Sequence, residues 1–207
     1  MKGSPHPPSP LPACRQAGPR GRGGEEIIVA TTNEHKLREI RHILNSHRVK
    51  GQGSRVIEDG KTFEANAIKK VKAIKLRPGQ IAIADDSGLM VNCLAGKPGV
   101  RSARFASPPT PQNLCEKLLR VMGQRCAKRG AKFVCAIAVA YPSGKIRTVK
   151  GICRGRIVSE MRGEHGFGYD PLFKPCGYKK TFAQMSPGFK NRISHRARAL
   201  RKMKSII

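Results

Sequence analysis

The chain has 207 residues, of which 41 are Lys or Arg and 13 are Asp or Glu, so its formal net charge is +28. That length suffices for one domain with a substantial core, and no apolar run approaches the length of a membrane span. The charge favours an anionic partner such as nucleotide phosphate or nucleic acid. With three Tyr, seven Phe and no Trp, however, the chain lacks the interleaved aromatic residues of a typical single-strand binding surface.

The first 24 residues are mostly Pro, Gly, Ser and Arg, and we expect a disordered basic tail at 1–24 followed by one folded domain at 25–207. The seven cysteines form no Cys-x-x-Cys pair, and Cys135 lies inside an apolar run. This pattern favours reduced, buried cysteines over a disulfide framework or a zinc site. It predicts an intracellular, cytoplasmic protein.

Strands and helices are predicted to alternate along the domain. Residues 27–30 read as a buried strand, Asn33 as the N-cap of a helix that extends to Leu44, and Thr62 as the start of a second helix after a long loop. The pattern predicts a mixed α/β sheet. The remaining predicted elements are two strands at 81–84 and 89–94, a helix at 111–122, a hairpin of strands at 132–141 and 145–153, a glycine-rich loop at 163–171 and one last helix after Ser186.

Two neighbouring acids, Asp85 and Asp86, stand between apolar runs and are followed by Ser87 and Gly88. Carboxylates in an apolar setting are costly unless a cation or hydrogen-bond donors meet them. The pair therefore indicates either a divalent metal site at a strand end or a turn in which one Asp caps a loop. These residues alone leave both interpretations open.

The turn after the first strand offers a site for an anion. Thr31, Asn33 and Lys36 lie at a predicted helix N-terminus, where free N–H groups favour negative charge. A plainly capped helix with a solvated Lys is the alternative. The two common phosphate loops are missing, because position 55 is Arg where a P-loop needs Gly and no Gly-x-Gly-x-x-Gly follows a strand.

Three further segments carry candidate residues. Asn66 and Lys70 share one helix face just after Glu58, although an ordinary solvated face has the same pattern. In the loop 166–171, two glycines flank a Phe that could stack on a planar base. The last segment, with Lys190, Ser194, His195 and Arg196, could bind an anion or a base edge, or could merely belong to a uniformly basic C-terminal region.

Together these segments resemble the inosine triphosphatase family, pyrophosphatases that hydrolyse non-canonical purine nucleoside triphosphates. The resemblance covers residues 26–202, and this chain departs from the family pattern at Thr32, Arg101 and Gln184. The matching segments occur in the family order: 30–33 with Lys36, 62–67 with Lys70, 85–89, 98–99 with 102–104, 166–171, and Lys190 with 194–196.

The resemblance implies an elongated mixed α/β sheet with flanking helices, two lobes and a central cleft, usually in a homodimer. Asp86 matches the catalytic acid and a metal ligand, Glu58 matches the second Mg²⁺ ligand, and Lys70 matches a basic residue near the phosphates. The positions that match substrate-binding residues are Thr31, Thr32, Asn33, Glu34, His35, Lys36, Lys70, Ser87, Phe167, Gly168, Tyr169, Asp170, Lys190, His195 and Arg196.

The expected activity is Mg²⁺-dependent hydrolysis of ITP, dITP and XTP to the monophosphate and pyrophosphate, with no membrane and no nucleic acid required. Two alternatives remain at this point: a basic nucleic-acid-binding protein, and a pyrophosphatase for other modified nucleotides. The first leaves the acidic pair and the sequence Gly-Phe-Gly-Tyr-Asp-Pro unexplained.

Overall fold

The computed structural model describes residues 26–53, 56–123 and 126–207, so the predicted tail lies outside the described residues. Its strands form a mixed sheet in the order β2-β1-β3-β4-β5-β6. β1 runs parallel to β2 and β3, and the pairs β3–β4, β4–β5 and β5–β6 are antiparallel. The strands are β1 (Glu26–Ala30), β2 (Val49–Gln52), β3 (Gln80–Val91), β4 (Gly130–Ala140), β5 (Ile146–Ile157) and β6 (Phe173–Pro175).

Helices flank this sheet, and the predicted helix starts at Asn33, Thr62 and Ser186 are confirmed, each of these residues being an N-cap. Each cap side chain accepts the backbone N–H of the third residue after it. In the described ranges, none of the helices is long and apolar enough to cross a membrane. The helices are α1 (Glu34–Ile43), α2 (Phe63–Lys72), α3 (Pro111–Met122), α4 (Pro187–Ile193) and α5 (His195–Lys204), with 3₁₀ turns at Asn92–Leu94, Gly99–Arg104 and Phe182–Gln184.

The two faces of the sheet bury different helices because alternate side chains of a strand point to opposite sides. On one face, small residues such as Ala82 and Ala84 pack against α2. On the other face, Ile83 and Ile137 pack against α1 and α5. A separate apolar cluster joins α3 to the far ends of β3, β4 and β5 and to β6. These clusters place the core on both sides of the sheet.

The acidic pair lies within one strand, so the prediction of two strands with a turn between them is wrong. β4 pairs with β3 from Ala82 to Val91 without interruption. The parallel neighbour β1, by contrast, pairs with β3 only as far as Ile83. Asp85 and Asp86 therefore lie in mid-strand, just beyond the point where β1 ends.

The C-terminal segment forms two helices where the sequence predicts one. Ser194 ends α4 and caps α5, and its side chain accepts the N–H of Ala197. The start of α5 then lies directly on β5, because a Cβ at Gly151 would come within 2.1 Å of the carbonyl oxygen of His195. This break and close approach set the positions of His195 and Arg196.

The cysteine prediction is wrong for one pair, since Cys93 and Cys126 form a disulfide with a Cα–Cα distance of 5.7 Å. The two residues meet because Val91 of β3 pairs with Ala131 of β4, so the segments just outside both strands share one end of the sheet. This proximity is not visible in the sequence, because α3 lies between the two cysteines along the chain. Three free cysteines, Cys115, Cys135 and Cys153, are buried as expected, while Cys176 is exposed.

Candidate active site

A cavity of about 480 Å³ lies beside β3, where the turn after β1 approaches the acidic pair. All of the predicted site residues except Glu34 line this cavity. The Glu34 side chain lies at a neighbouring depression with Leu37 and Arg41. The structure brings the others together, and the cavity is lined by Thr31, Thr32, Asn33, His35, Lys36, Glu58, Lys70, Asp86, Ser87, Phe167, Gly168, Tyr169, Asp170, Lys190, His195 and Arg196.

Asp86 is the acid of the pair that faces the cavity, and it is 4% exposed. Asn66 donates from Nδ2 to Asp86 Oδ2 at 2.9 Å, and the backbone N–H of Ser87 donates to Oδ1 at 3.0 Å. Asn66 is held in turn by the N–H of Gly60, which its Oδ1 accepts at 2.7 Å. Burial raises the pKa of Asp86, although Lys70 and Lys36 oppose the shift. A carboxylate with a raised pKa is better suited to accept a proton near neutral pH.

Glu58 lies on the same wall of the cavity as Asp86. Lys70 Nζ lies 3.3 Å from Glu58 Oε1 and donates to the carbonyl oxygen of Asp85 at 2.5 Å, and its charge also acts on Asp86, where it opposes the rise in pKa caused by burial. Arg104 fixes the backbone there by donating from Nη2 to the carbonyl oxygen of Glu58 at 2.6 Å. The two carboxylates therefore share one cationic neighbour.

These carboxylates fit a magnesium ion that takes most of its ligands from elsewhere. Among the described residues, no group of three or more His, Cys, Asp or Glu side chains could hold a metal. Mg²⁺ commonly uses one or two carboxylates and completes its shell with water and substrate phosphate. Glu58 and Asp86 have the donor chemistry for that arrangement.

The N-terminus of α1 forms another wall of the cavity. Thr31 Oγ1 accepts the N–H of Asn33, and Asn33 Oδ1 accepts the N–H of Lys36, both at 3.1 Å. The first N–H groups of a helix lack acceptors within the helix, and the helix dipole adds partial positive charge there. This wall is suited to phosphate.

Six buried or partly buried charges form a continuous series behind the cavity, which we call the ion chain. In order of contact its members are Lys36, Asp85, Arg196, Glu39, Lys190 and Asp170. The N–O distances are 3.2 Å for Lys36–Asp85, 2.9 Å for Arg196–Asp85, 2.8 Å for Lys190–Glu39 and 2.5 Å for Lys190–Asp170. Three cations balance three anions, so the series is neutral as a whole.

The sequence did not predict Glu39 as a site residue, and it predicted Asp85 only as half of a possible metal site, not as a partner of buried cations. Burial opposes ionisation of both, but Lys36 and Arg196 hold the pKa of Asp85 well below its usual range. Arg196 and Lys190 lower the pKa of Glu39 to about 2. Glu39 lies three residues after Lys36 on α1, so helical spacing could have placed it on the same face.

Arg196 is fully buried, and most of its donors are used within the protein. Its guanidinium donates to Asp85 from Nε and Nη2, to Ser87 Oγ from Nη2, and to Glu39 from Nη1. One Nη1 hydrogen has no acceptor among the described residues. The adjacent His195 stacks on Phe133 with ring centroids 4.7 Å apart, and its Nδ1 has no partner there. Burial and Arg196 lower the pKa of His195, so its ring is neutral at pH 7.

The glycine-rich loop places an aromatic ring at the cavity. Phe167 stacks on His35 at 5.3 Å, and Lys190 Nζ lies 4.7 Å from the Phe167 ring centroid. Asp170 holds the loop by accepting the N–H of Phe167 at 2.8 Å. Gly166 permits this contact, because it has a φ of +80° and a Cβ there would come within 2.1 Å of Asp170.

Acid is expected to weaken the fold through the ion chain. The carboxyl of Glu39 has a reference pKa of 4.5 and a folded pKa of about 2, so its ionisation stabilises the protein fully above about pH 4.5. That stabilisation is lost as the pH falls towards 2. Urea unfolding between pH 7 and pH 3 should show the loss, and the Glu39→Gln variant should show a smaller one. Parallel pH profiles for the two proteins would contradict the assignment.

Residues 27–206 match the Ham1 family. The chain belongs to this family. The dITP/XTP pyrophosphatase of Desulforamulus reducens is 44% identical over 191 residues, which cover 88% of this chain and 95% of the relative. The enzyme of the same name from Bacillus anthracis is 44% identical over 194 residues, covering 88% and 96%.

Solved structures agree with this assignment. The Ham1 protein of Staphylococcus aureus superposes with a TM-score of 0.77 at 38% identity, covering 87% of this chain and 97% of that one. A nucleoside-triphosphatase / dITP/XTP pyrophosphatase from Mycobacterium abscessus gives a TM-score of 0.66 at 36% identity, covering 86% and 97%. The predicted family resemblance and the mixed α/β fold are confirmed.

Proposed function

We propose that this protein hydrolyses ITP, dITP and XTP to the nucleoside monophosphate and pyrophosphate, with Mg²⁺ as cofactor. That it is a nucleoside triphosphate pyrophosphatase follows from its membership of the Ham1 family and from relatives, 44% identical, named dITP/XTP pyrophosphatase. The observation on this chain that carries the proposal is the cavity itself, in which Glu58 and Asp86 face the N-terminus of α1. The predicted homodimer and cytoplasmic location stay predictions.

In the proposed reaction a water attacks the α-phosphorus, and the bond from that phosphorus to the α–β bridging oxygen breaks to release pyrophosphate. Asp86 accepts the proton of the water, in keeping with its raised pKa. Glu58 and Asp86 would hold the magnesium ion, which when bound neutralises phosphate charge and polarises water. Asn66 is a positioning residue, because its hydrogen bond fixes the carboxylate of Asp86.

The cationic walls of the cavity bind the triphosphate. The turn from Thr31 to Lys36 presents backbone N–H groups and the dipole of α1, and Lys70 adds a charge beside the carboxylates. Lys190 contributes less to phosphate binding than the sequence suggests, because Glu39 and Asp170 already pair with it.

The base lies at the end of the cavity that holds Phe167, where it extends the stack with His35. His195, in its Nε2–H tautomer, and the remaining Nη1 hydrogen of Arg196 face the 6-oxo group of hypoxanthine or xanthine. Adenine has a 6-amino group at that position, so a donor would face a donor and stay unpaired in a closed site. Guanine keeps the 6-oxo group but adds a 2-amino donor, which a closed site rejects unless an acceptor meets it, whereas xanthine has a 2-oxo acceptor there.

Chelation is expected to abolish pyrophosphate release from dITP, because carboxylates without a cation repel a triphosphate. The Glu58→Gln variant should need at least about tenfold more Mg²⁺ for half-maximal rate, since it loses one charged ligand. Glu34→Gln is the matched control, because the Glu34 side chain lies outside the cavity. Full turnover after exhaustive chelation, or an unchanged Mg²⁺ requirement in Glu58→Gln, would contradict the metal assignment.

A further inference from the structure

A second concave surface lies on the α2 face of the sheet, and its lining is strongly cationic. It has a volume of about 910 Å³ and lies beyond the start of α2, between the sheet and the 3₁₀ turn Gly99–Arg104. We call this surface the basic groove. Its charged lining residues are seven cations and one acid: Lys61, Lys97, Arg101, Arg104, Lys117, Lys132, Lys150 and Glu64.

Most of these cations are not neutralised by the protein. Glu64 pairs with Lys150, and Arg104 donates to the carbonyl oxygen of Glu58. Within the described ranges, the other five have no carboxylate within 4.0 Å: Lys61, Lys97, Arg101, Lys117 and Lys132. The basic groove therefore differs from the ion chain, where every cation meets an anion.

The strand register adds like charges on the same face of the sheet. Lys132 of β4 lies directly opposite Arg154 of β5, and Arg156 of β5 lies opposite Lys174 of β6. Like charges in opposite positions of an antiparallel pair destabilise the sheet. Repulsion between these cations therefore lowers the stability of the fold at this face, and a bound polyanion would relieve that repulsion.

The floor of the basic groove is apolar. Val134 of β4 lies opposite Ile152 of β5, and Met90 lies two residues further along β3 than Gly88, the residue that pairs with Val134. Phe105 stands at the wall with Lys117 Nζ 5.2 Å from its ring centroid. Cations around an apolar floor match a polymer that alternates phosphates with flat, unpaired bases. The scarcity of aromatic residues implies that phosphate contacts carry most of the binding, with little sequence preference.

We propose that the basic groove binds single-stranded nucleic acid, with phosphates on the cations and bases on the apolar floor. A duplex keeps its bases stacked inside, so it would leave the floor unused. A second copy of this chain is disfavoured, because a two-fold contact through the groove would place its cations against one another. The proposal does not depend on the hydrolysis of nucleotides.

The test is fluorescence anisotropy of a 5′-fluorescein-labelled 20-nucleotide oligo(dT) with the full chain between 50 and 200 mM NaCl. The groove variant is Arg101→Glu/Lys132→Glu, in which the new carboxylate at position 132 faces Arg154 and should support the fold. The control variant, Lys75→Glu/Lys145→Glu, changes two exposed residues outside the groove and lowers the net charge by the same four units. Neither variant changes a residue of the active-site cavity, so dITP hydrolysis should be unchanged in both.

The groove variant is expected to bind the oligonucleotide at least about tenfold more weakly, and the control variant within about threefold of wild type. If about four phosphates are neutralised, the logarithm of the association constant should fall with the logarithm of the salt concentration at a slope near −3. In the groove variant this slope should be about half as steep. Equal losses in both variants would mean that only the overall charge attracts the strand. That result, tighter binding of a duplex of equal length, or a groove-dependent change of sedimentation without oligonucleotide would overturn the proposal. Failure of dITP hydrolysis with binding intact would instead overturn the proposed function.

Discussion

Replacing Asp86 with Asn is expected to lower kcat for dITP by at least about 10³-fold while the chain remains folded. An amide cannot accept the proton of the attacking water, and it is a poorer ligand for Mg²⁺. The side chain keeps its size, so it still fits in the space beside Asn66. Pyrophosphate release under Mg²⁺ saturation measures the effect, with circular dichroism as the check on folding.

Asp59→Asn is the matched control for this variant. Asp59 is an exposed acid that pairs with Lys69 and does not line the cavity. The same substitution there should leave kcat within about twofold of wild type. Near-normal turnover in Asp86→Asn would remove Asp86 from the reaction.

Replacing Arg196 with Met is expected to destabilise the protein by about 3–5 kcal/mol. Arg196 is fully buried and joins Asp85 to Glu39, so its loss removes one of the two cations that each carboxylate contacts. Urea unfolding at pH 7 measures the change. The difference from wild type should shrink as the pH falls, because protonation relieves the unpaired acids.

Arg198→Met is the control for this second variant. Arg198 lies on the same helix, is exposed, and donates one hydrogen bond to the carbonyl oxygen of Ile193. Its replacement should cost less than about 1 kcal/mol. Equal stability losses in the two variants, or none in Arg196→Met, would show that the ion chain does not support the fold.

Local signals in the sequence were enough to predict most helices and their starts. Asn33, Thr62 and Ser186 cap helices because a side-chain oxygen can satisfy a free N–H wherever it stands in the fold. The helix predicted at 111–122 is α3, and Gly123 caps its C-terminus. The long apolar strand β4 was equally visible, and β5 was predicted as its hairpin partner, although only as far as residue 153 and not to Ile157.

The elements that the sequence did not predict depend on distant partners. β3 continues through two acids because β4 pairs with it throughout, and no local pattern shows that pairing. β2 and β6 are short, and β2 is largely exposed, so neither has a distinct apolar pattern. The break at Ser194 depends on α5 packing onto Gly151 of β5.

The candidate site was predicted only in part for a related reason. The family resemblance identified residues that face the cavity, but it did not identify their partners within the protein. Asp85 and Glu39 decide how much charge Lys36, Lys190 and Arg196 can offer to a ligand, because each of those cations contacts one or both. That balance depends on contacts between α1, β3, α4 and α5, which are remote in sequence.

The proposed preference for non-canonical purine nucleotides is tested most directly by the ratio of kcat/KM for ITP to that for ATP. Both values are measured by pyrophosphate release at saturating Mg²⁺. We predict a ratio of at least about 10², because the 6-amino group of adenine faces donors from His195 and Arg196. XTP and dITP should behave like ITP, and GTP like ATP. Equal kcat/KM values for ITP and ATP would contradict the proposed function.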